Sequence, residues 1–120
     1  MSLNQDSMLR IKNIVSNLRT SPFYKKYDVR SYLYDFRSGA HAIHLFENEQ
    51  AVNLFLFFPG YGGEISSIAI YGSSLNGHLQ AIRSSMRIFG MEVDEVEYDN
   101  QGLSPYVDVY LKPYSPLNQD

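Results

Sequence analysis

Residues 75–89 read LNGHLQAIRSSMRIF, and this stretch decides the fold class. Leu75, Leu79, Ile82, Met86 and Phe89 fall four, three, four and three residues apart, the repeat that aligns one face of an α-helix. Gln80, Arg83, Ser84 and Arg87 take the opposite face. A single apolar stripe of this kind is built to lie on a sheet. Ser73 or Ser74 is placed to cap the start, and Gly90 to close the end in the left-handed conformation. Arg83 and Arg87 sit in the last turns, where cations complement the helix dipole.

Upstream, a first helix is predicted over 6–20, with Asp6 or Ser7 as its cap and Met8, Ile11, Ile14, Val15 and Leu18 as its stripe. Pro22 ends it, because the residue before a proline is pushed out of the α region. Strands are predicted over 29–36, 40–46, 52–58 and 64–71. Arg37-Ser38-Gly39 and Glu47-Asn48-Glu49-Gln50 read as the turns between the first three. Residues 52–58 are apolar at nearly every position, which predicts a central strand covered on both faces. In the fourth strand Ile68 and Ile70 alternate with the small Ser67 and Ala69, leaving room on one face.

Downstream, residues 91–98 and 106–112 form a final hairpin around Asp99-Asn100-Gln101-Gly102. Val107, Val109 and Leu111 alternate with Tyr106, Asp108 and Tyr110, a half-buried pattern. Val93 and Val96 are out of phase, so a bulge is expected near Asp94-Glu95. Pro105 falls at the start of its strand, where a missing N–H costs least. The expectation is a single α+β domain over residues 1–120, with loose ends at about 1–5 and 114–120. Its order is α-β-β-β-β-α-β-β, with a mainly antiparallel sheet of about six strands and both helices on one face. In element order alone the outline resembles small secretion chaperones and related adaptor domains.

Composition narrows the function. The chain has 120 residues and no cysteine, which removes disulfides, thiolate chemistry and cysteine metal sites. The longest apolar run is too short to cross a bilayer, and residues 1–6 lack the basic and apolar segments of a signal peptide, so a cytoplasmic location is expected. A net charge of −3 speaks against general nucleic-acid affinity. The charge is uneven: residues 1–60 hold seven Lys/Arg against five Asp/Glu (+2), and residues 61–120 hold three against eight (−5). Glu92, Asp94, Glu95, Glu97 and Asp99 concentrate the excess, either as a strand edge that resists pairing or as a docking patch for a basic partner.

Motifs with chemistry are sparse. His41 and His44 lie three apart in a strand and therefore point to opposite faces, too far apart to chelate one metal. His78 stands near a helix start, where an imidazolium is disfavoured, and chemistry there would need a carboxylate or hydroxyl beside it. Gly60, Gly62 and Gly63 permit close backbone approach, but a strand follows and no Lys or Arg is adjacent. Gly72-Ser73-Ser74 opens the second helix, where capping explains the serines. No catalytic residue, metal set or cofactor motif is predicted.

The ten tyrosines exceed what a core needs, and tyrosine is enriched at protein interfaces. The sequence therefore predicts a non-enzymatic protein-interaction module: a small adaptor, chaperone-like or inhibitor protein. Tyr61, Glu95, Glu97, Tyr106, Asp108 and Tyr110 are its candidate partner-binding residues. The alternatives are a small-ligand or nucleotide-binding domain using Gly60–Gly63 or the start of the second helix, and a homo-oligomer joined through an exposed strand edge.

Overall fold

Alternation along the strands sets the architecture. In the computed structural model, which describes residues 2–88, 90–99 and 106–113, the order is α1 (Gln5–Thr20), β1 (Asp28–Asp35), β2 (Ala40–Glu47), β3 (Gln50–Pro59), β4 (Ile65–Gly72), α2 (Leu75–Ile88), β5 (Met91–Asp99) and β6 (Tyr106–Pro113). Short 3-10 turns precede β1 at Pro22–Tyr24 and β4 at Tyr61–Gly63. The predicted α+β class and element order hold.

The six strands form one antiparallel sheet in the order β1-β2-β3-β4-β6-β5. The first four are a meander. α2 then carries the chain beyond β4 to the far edge, and β6 returns between β4 and β5. Val29, Ile43, Leu45, Phe55, Phe57, Ile68, Ile70, Val107 and Val109 line the inner face. Ile11, Ile14, Val15 and Leu18 from α1, with Leu79, Ile82 and Met86 from α2, close over them. Phe89, the last position of the second stripe, lies outside the described residues, as do Asn100, Gln101, Gly102 and Pro105 of the final hairpin and the tail at 114–120.

Three local features differ from expectation. The cap of α1 is Asn4, whose Oδ1 accepts the Ser7 N–H at 2.9 Å, so the helix starts one residue earlier than predicted. Asn4 also ties residues 2–5 down: its N–H bonds the Gly63 carbonyl at 2.8 Å and its Nδ2 the Gly62 carbonyl at 3.2 Å. The glycine-rich connection is thus a held turn. Gly63 lies at φ +83, and a Cβ there would meet the Asn4 nitrogen at 2.9 Å. Third, β3 is covered by helices on only one face, because α1 and α2 both lie on the other side from Leu54, Leu56 and Phe58.

The bulge near Asp94-Glu95 is present as a register shift between Val93 and Glu95, which returns both Val93 and Val96 to the core side. Gly90 has φ 76 after α2, and Gly39 has φ 71 in the first hairpin turn. The second hairpin turn is costlier. Glu47 pairs with Gln50, leaving Asn48 (φ 53) and Glu49 (φ 67) in the left-handed region. Two-residue hairpins favour this geometry, but Asn-Gly is its comfortable sequence. Glu49→Gly is expected to raise stability by about 0.5–1 kcal/mol, the relief of a strained φ less the added freedom of the unfolded chain. A urea titration should show a higher midpoint at unchanged slope.

Candidate functional site

The register of six paired strands places every outward side chain of the sheet. Residues directly opposite one another share a face, so the pairings read off as rows. One row runs Tyr32, Ala42, Leu56, Ala69, Asp108, Glu97 from β1 to β5. The next runs Arg30, His44, Leu54, Tyr71, Tyr106, Asp99. A third, shorter row joins Phe58, Ser67, Tyr110 and Glu95. Each ends in a carboxylate on β5, and the first is apolar through its middle, at Ala42, Leu56 and Ala69. Among the described residues, neither helix covers this face.

Ala42, Leu56 and Ala69 make a buried floor, with Leu54, Phe58 and Tyr71 packed around it. A cleft of about 660 Å³ opens here, lined by Tyr34, His44, Leu54, Leu56 and Tyr71. The β1 side is aromatic and basic. The Tyr32 hydroxyl and His44 Nδ1 share a hydrogen bond at 2.8 Å, the His44 and Phe46 rings lie 4.6 Å apart, and the Arg30 guanidinium stacks 4.0 Å over Phe46. Burial, helped by Arg30, lowers the His44 pKa and keeps it neutral near pH 7.

The β5 side is crowded with negative charge. Burial raises the Asp108 pKa, and Glu97 and Asp99 push it further. The Tyr110 hydroxyl donates to Glu97 Oε2 at 3.4 Å, and the Glu97 charge raises the Tyr110 pKa. A hydrogen bond to Asp99 does the same to Tyr106, whose ring lies 4.9 Å from Tyr71. Lys112 sits further along β6, paired with Asp94 at 3.3 Å and Glu92 at 3.8 Å.

Five of the six residues singled out from the sequence therefore meet on one face: Glu95, Glu97, Tyr106, Asp108 and Tyr110. Tyr61 stands apart, 97% exposed on the β3–β4 turn beside the start of α1. The other half of the face holds Arg30, Tyr34, His44, Leu54 and Tyr71, of which Arg30 and Tyr71 escaped sequence reasoning. Its one available signal was the unbroken apolar run of β3. The Gly60–Gly63 turn spends its groups internally: the Gly60 N–H bonds the Glu64 carbonyl at 2.7 Å and the Gly63 N–H the Gly60 carbonyl at 3.1 Å. The Gly63 carbonyl also accepts from Ser7 Oγ at 3.0 Å.

No family model, curated protein or solved structure matches this chain.

His41 and His44 point to opposite faces, His41 meeting Ser31 Oγ at 2.9 Å on the α1 side. His78 has the hydroxyl that chemistry would require, but inside the protein. His78, Asn53 and Tyr24 are 1%, 3% and 3% exposed. Asn53 Nδ2 donates to the carbonyls of Tyr71 at 3.1 Å and Ser73 at 2.8 Å, so its Oδ1 accepts from His78 Nε2 at 3.0 Å. Nδ1 then carries no proton and accepts the Tyr24 O–H at 2.9 Å. Gly72, at φ +111, leaves room for the Asn53 amide where a Cβ would collide with it. The chain ties the turn before β1, strand β3 and the start of α2 together, with every member satisfied.

Burial lowers the His78 pKa, with Lys26 adding to the effect, and burial raises Tyr24 to about 12. The folded state therefore holds His78 neutral, while the unfolded chain takes up a proton below pH of about 6.5. This contribution to stability is complete above that value and is lost as pH falls toward the depressed folded pKa. His41 and His44, lowered mainly by burial, act in the same direction. The urea midpoint should drop between pH 7.5 and 5.5. His78→Leu, by unpairing two buried groups, should cost on the order of 2–4 kcal/mol at pH 7.5 and flatten that pH dependence.

Proposed function

We propose that this chain is a non-enzymatic protein-interaction module, an adaptor, chaperone-like or inhibitor protein, whose open sheet face receives a basic segment of a macromolecular partner. The observation that carries the reading is the row from Tyr32 through Ala42, Leu56 and Ala69 to Asp108 and Glu97. It joins an apolar floor to crowded carboxylates on one rigid layer.

The chemistry follows from both ends of that row. An apolar side chain laid on Leu54, Leu56 and Phe58 expels water from a surface that no helix of the described chain covers. A Lys or Arg placed beside Glu97 and Asp108 relieves repulsion already present in the free protein. Tyr34, Tyr106 and Tyr110 supply rigid rings with polar tips, the residue type that anchors interfaces. The face thus asks for alternating apolar and cationic side chains.

A ten-residue peptide alternating Arg and Leu is the direct probe. In an NMR titration it should saturate and shift amides around Glu97, Asp108 and Tyr110. Reversing two exposed charges, Glu95→Lys with Glu97→Lys, should raise Kd about tenfold, chiefly through slower association, and flatten the salt dependence. The double variant should keep the parent urea midpoint, since both side chains are exposed. Unaltered affinity in this variant would remove the acidic face as the docking determinant.

A further inference from the structure

The two edges of the sheet are built differently. Among the described residues β5 pairs with β6 alone and β1 with β2 alone. β5 has a bulge at Asp94 and carries Glu92, Asp94, Glu95, Glu97 and Asp99. Such bulges and charges keep foreign strands away. β1 lacks these devices over most of its length. From Asp28 to Leu33 its register against β2 is unbroken, it contains neither Pro nor Lys, and the two charges of that stretch, Asp28 and Arg30, neutralise one another at 2.8 Å; Asp35 lies beyond the irregularity that follows Leu33.

The surface beside that undefended edge is apolar and positive. A cleft of about 900 Å³ runs between α1 and β1, lined by Met8, Leu9 and Val15, by Lys12 and Arg19, and on the strand side by Ser31. Leu9 is 57% exposed, and Leu33, two residues beyond Ser31 and so on the same side of β1, is 53% exposed. Arg19 donates to the Val29 carbonyl at 2.7 Å, which holds its guanidinium at one end of the cleft. No carboxylate lines the cleft among the described residues.

We infer that the β1 edge with the α1–β1 cleft is a second docking surface, one that takes an extended peptide segment bearing alternating apolar and acidic side chains. The added strand pairs with the outer edge of β1. Its inward apolar side chains fill the space between Leu9 and Leu33, and its carboxylates meet Lys12 and Arg19. Charge complementarity selects this occupant: the cleft is cationic without internal compensation, whereas the open face is anionic. Strand addition supplies affinity from the main chain and selectivity from alternate side chains. The two surfaces would thus take segments of opposite charge.

The probe is an eight-residue peptide alternating Val and Glu, titrated into isotope-labelled protein, with a Val/Lys peptide as its counterpart. The Val/Glu peptide should saturate and shift amides of α1 and of residues 28–33, leaving Asp108 and Tyr110 unmoved. Lys12→Glu should weaken it about tenfold, Lys12→Arg should preserve it, and Leu33→Glu should abolish it. Absence of saturation at millimolar peptide, equal binding of the Val/Lys peptide, or shifts confined to the open face would each overturn the inference. So would a concentration-dependent dimer by light scattering that Leu33→Glu abolishes, since the occupant would then be a second copy. The Glu95→Lys, Glu97→Lys variant should bind the Val/Glu peptide as the parent does, so this surface and the open face fail independently.

Discussion

Water exclusion between one face of the sheet and two helices is the constraint on which the other features hang. Phe55 and Phe57 at the centre, flanked by Ile43, Leu45, Ile68, Ile70, Val107 and Val109, are almost wholly removed from solvent. Each such side chain contributes roughly 1.5–3 kcal/mol. A slip of one residue in any strand would turn its apolar set outward. The core therefore decides what the opposite face displays. Val107 and Val109 must face in, so Tyr106, Asp108 and Tyr110 must face out. The candidate site is the parity complement of the core, and no separate folding signal is needed to assemble it.

That parity explains which features were legible in the sequence. The α2 stripe, the half-buried pattern of β6 and the bulge in β5 are local, and the last two put five of the six candidate residues on one face. Strand order is not local. β6 lies between β4 and β5 because α2 spans to the far edge before the hairpin returns, and alternation within 106–112 carries no trace of that. Tyr61 illustrates the same limit: exposure of a loop tyrosine is readable, but its distance from the acidic strand is a tertiary fact. The cap of α1 at Asn4 was missed because Asp6 and Ser7 are equally good capping residues. Asn4 wins through its second set of bonds, to the Gly62 and Gly63 carbonyls.

The Tyr24–His78–Asn53 chain shows a different kind of illegibility. Three polar residues far apart in sequence lie within an otherwise apolar interior, where each is tolerable only because the others satisfy it. Its geometry reaches the backbone at Tyr71 and Ser73, the strand end that also borders the open cleft. The interior network and the exposed face thus share one piece of main chain. Asn53 holds the carbonyls of both Tyr71 and Ser73, and the Tyr71 ring forms part of the open face beside Tyr106.

β3 links these observations. A strand apolar on both sides reads as one buried on both sides, but the two α-helices of the described residues both lie on the same face. Moving either helix to the other face would open part of the inner layer of Phe55, Phe57, Ile68 and Ile70 to water. The outer apolar band follows from the demands of the inner one, and it is tempered by the small floor residues Ala42 and Ala69 and by tyrosines whose hydroxyls bond His44 and Glu97. A surface with that composition loses little by standing open and gains by being covered. Both properties arise from the same alternation that makes the protein fold.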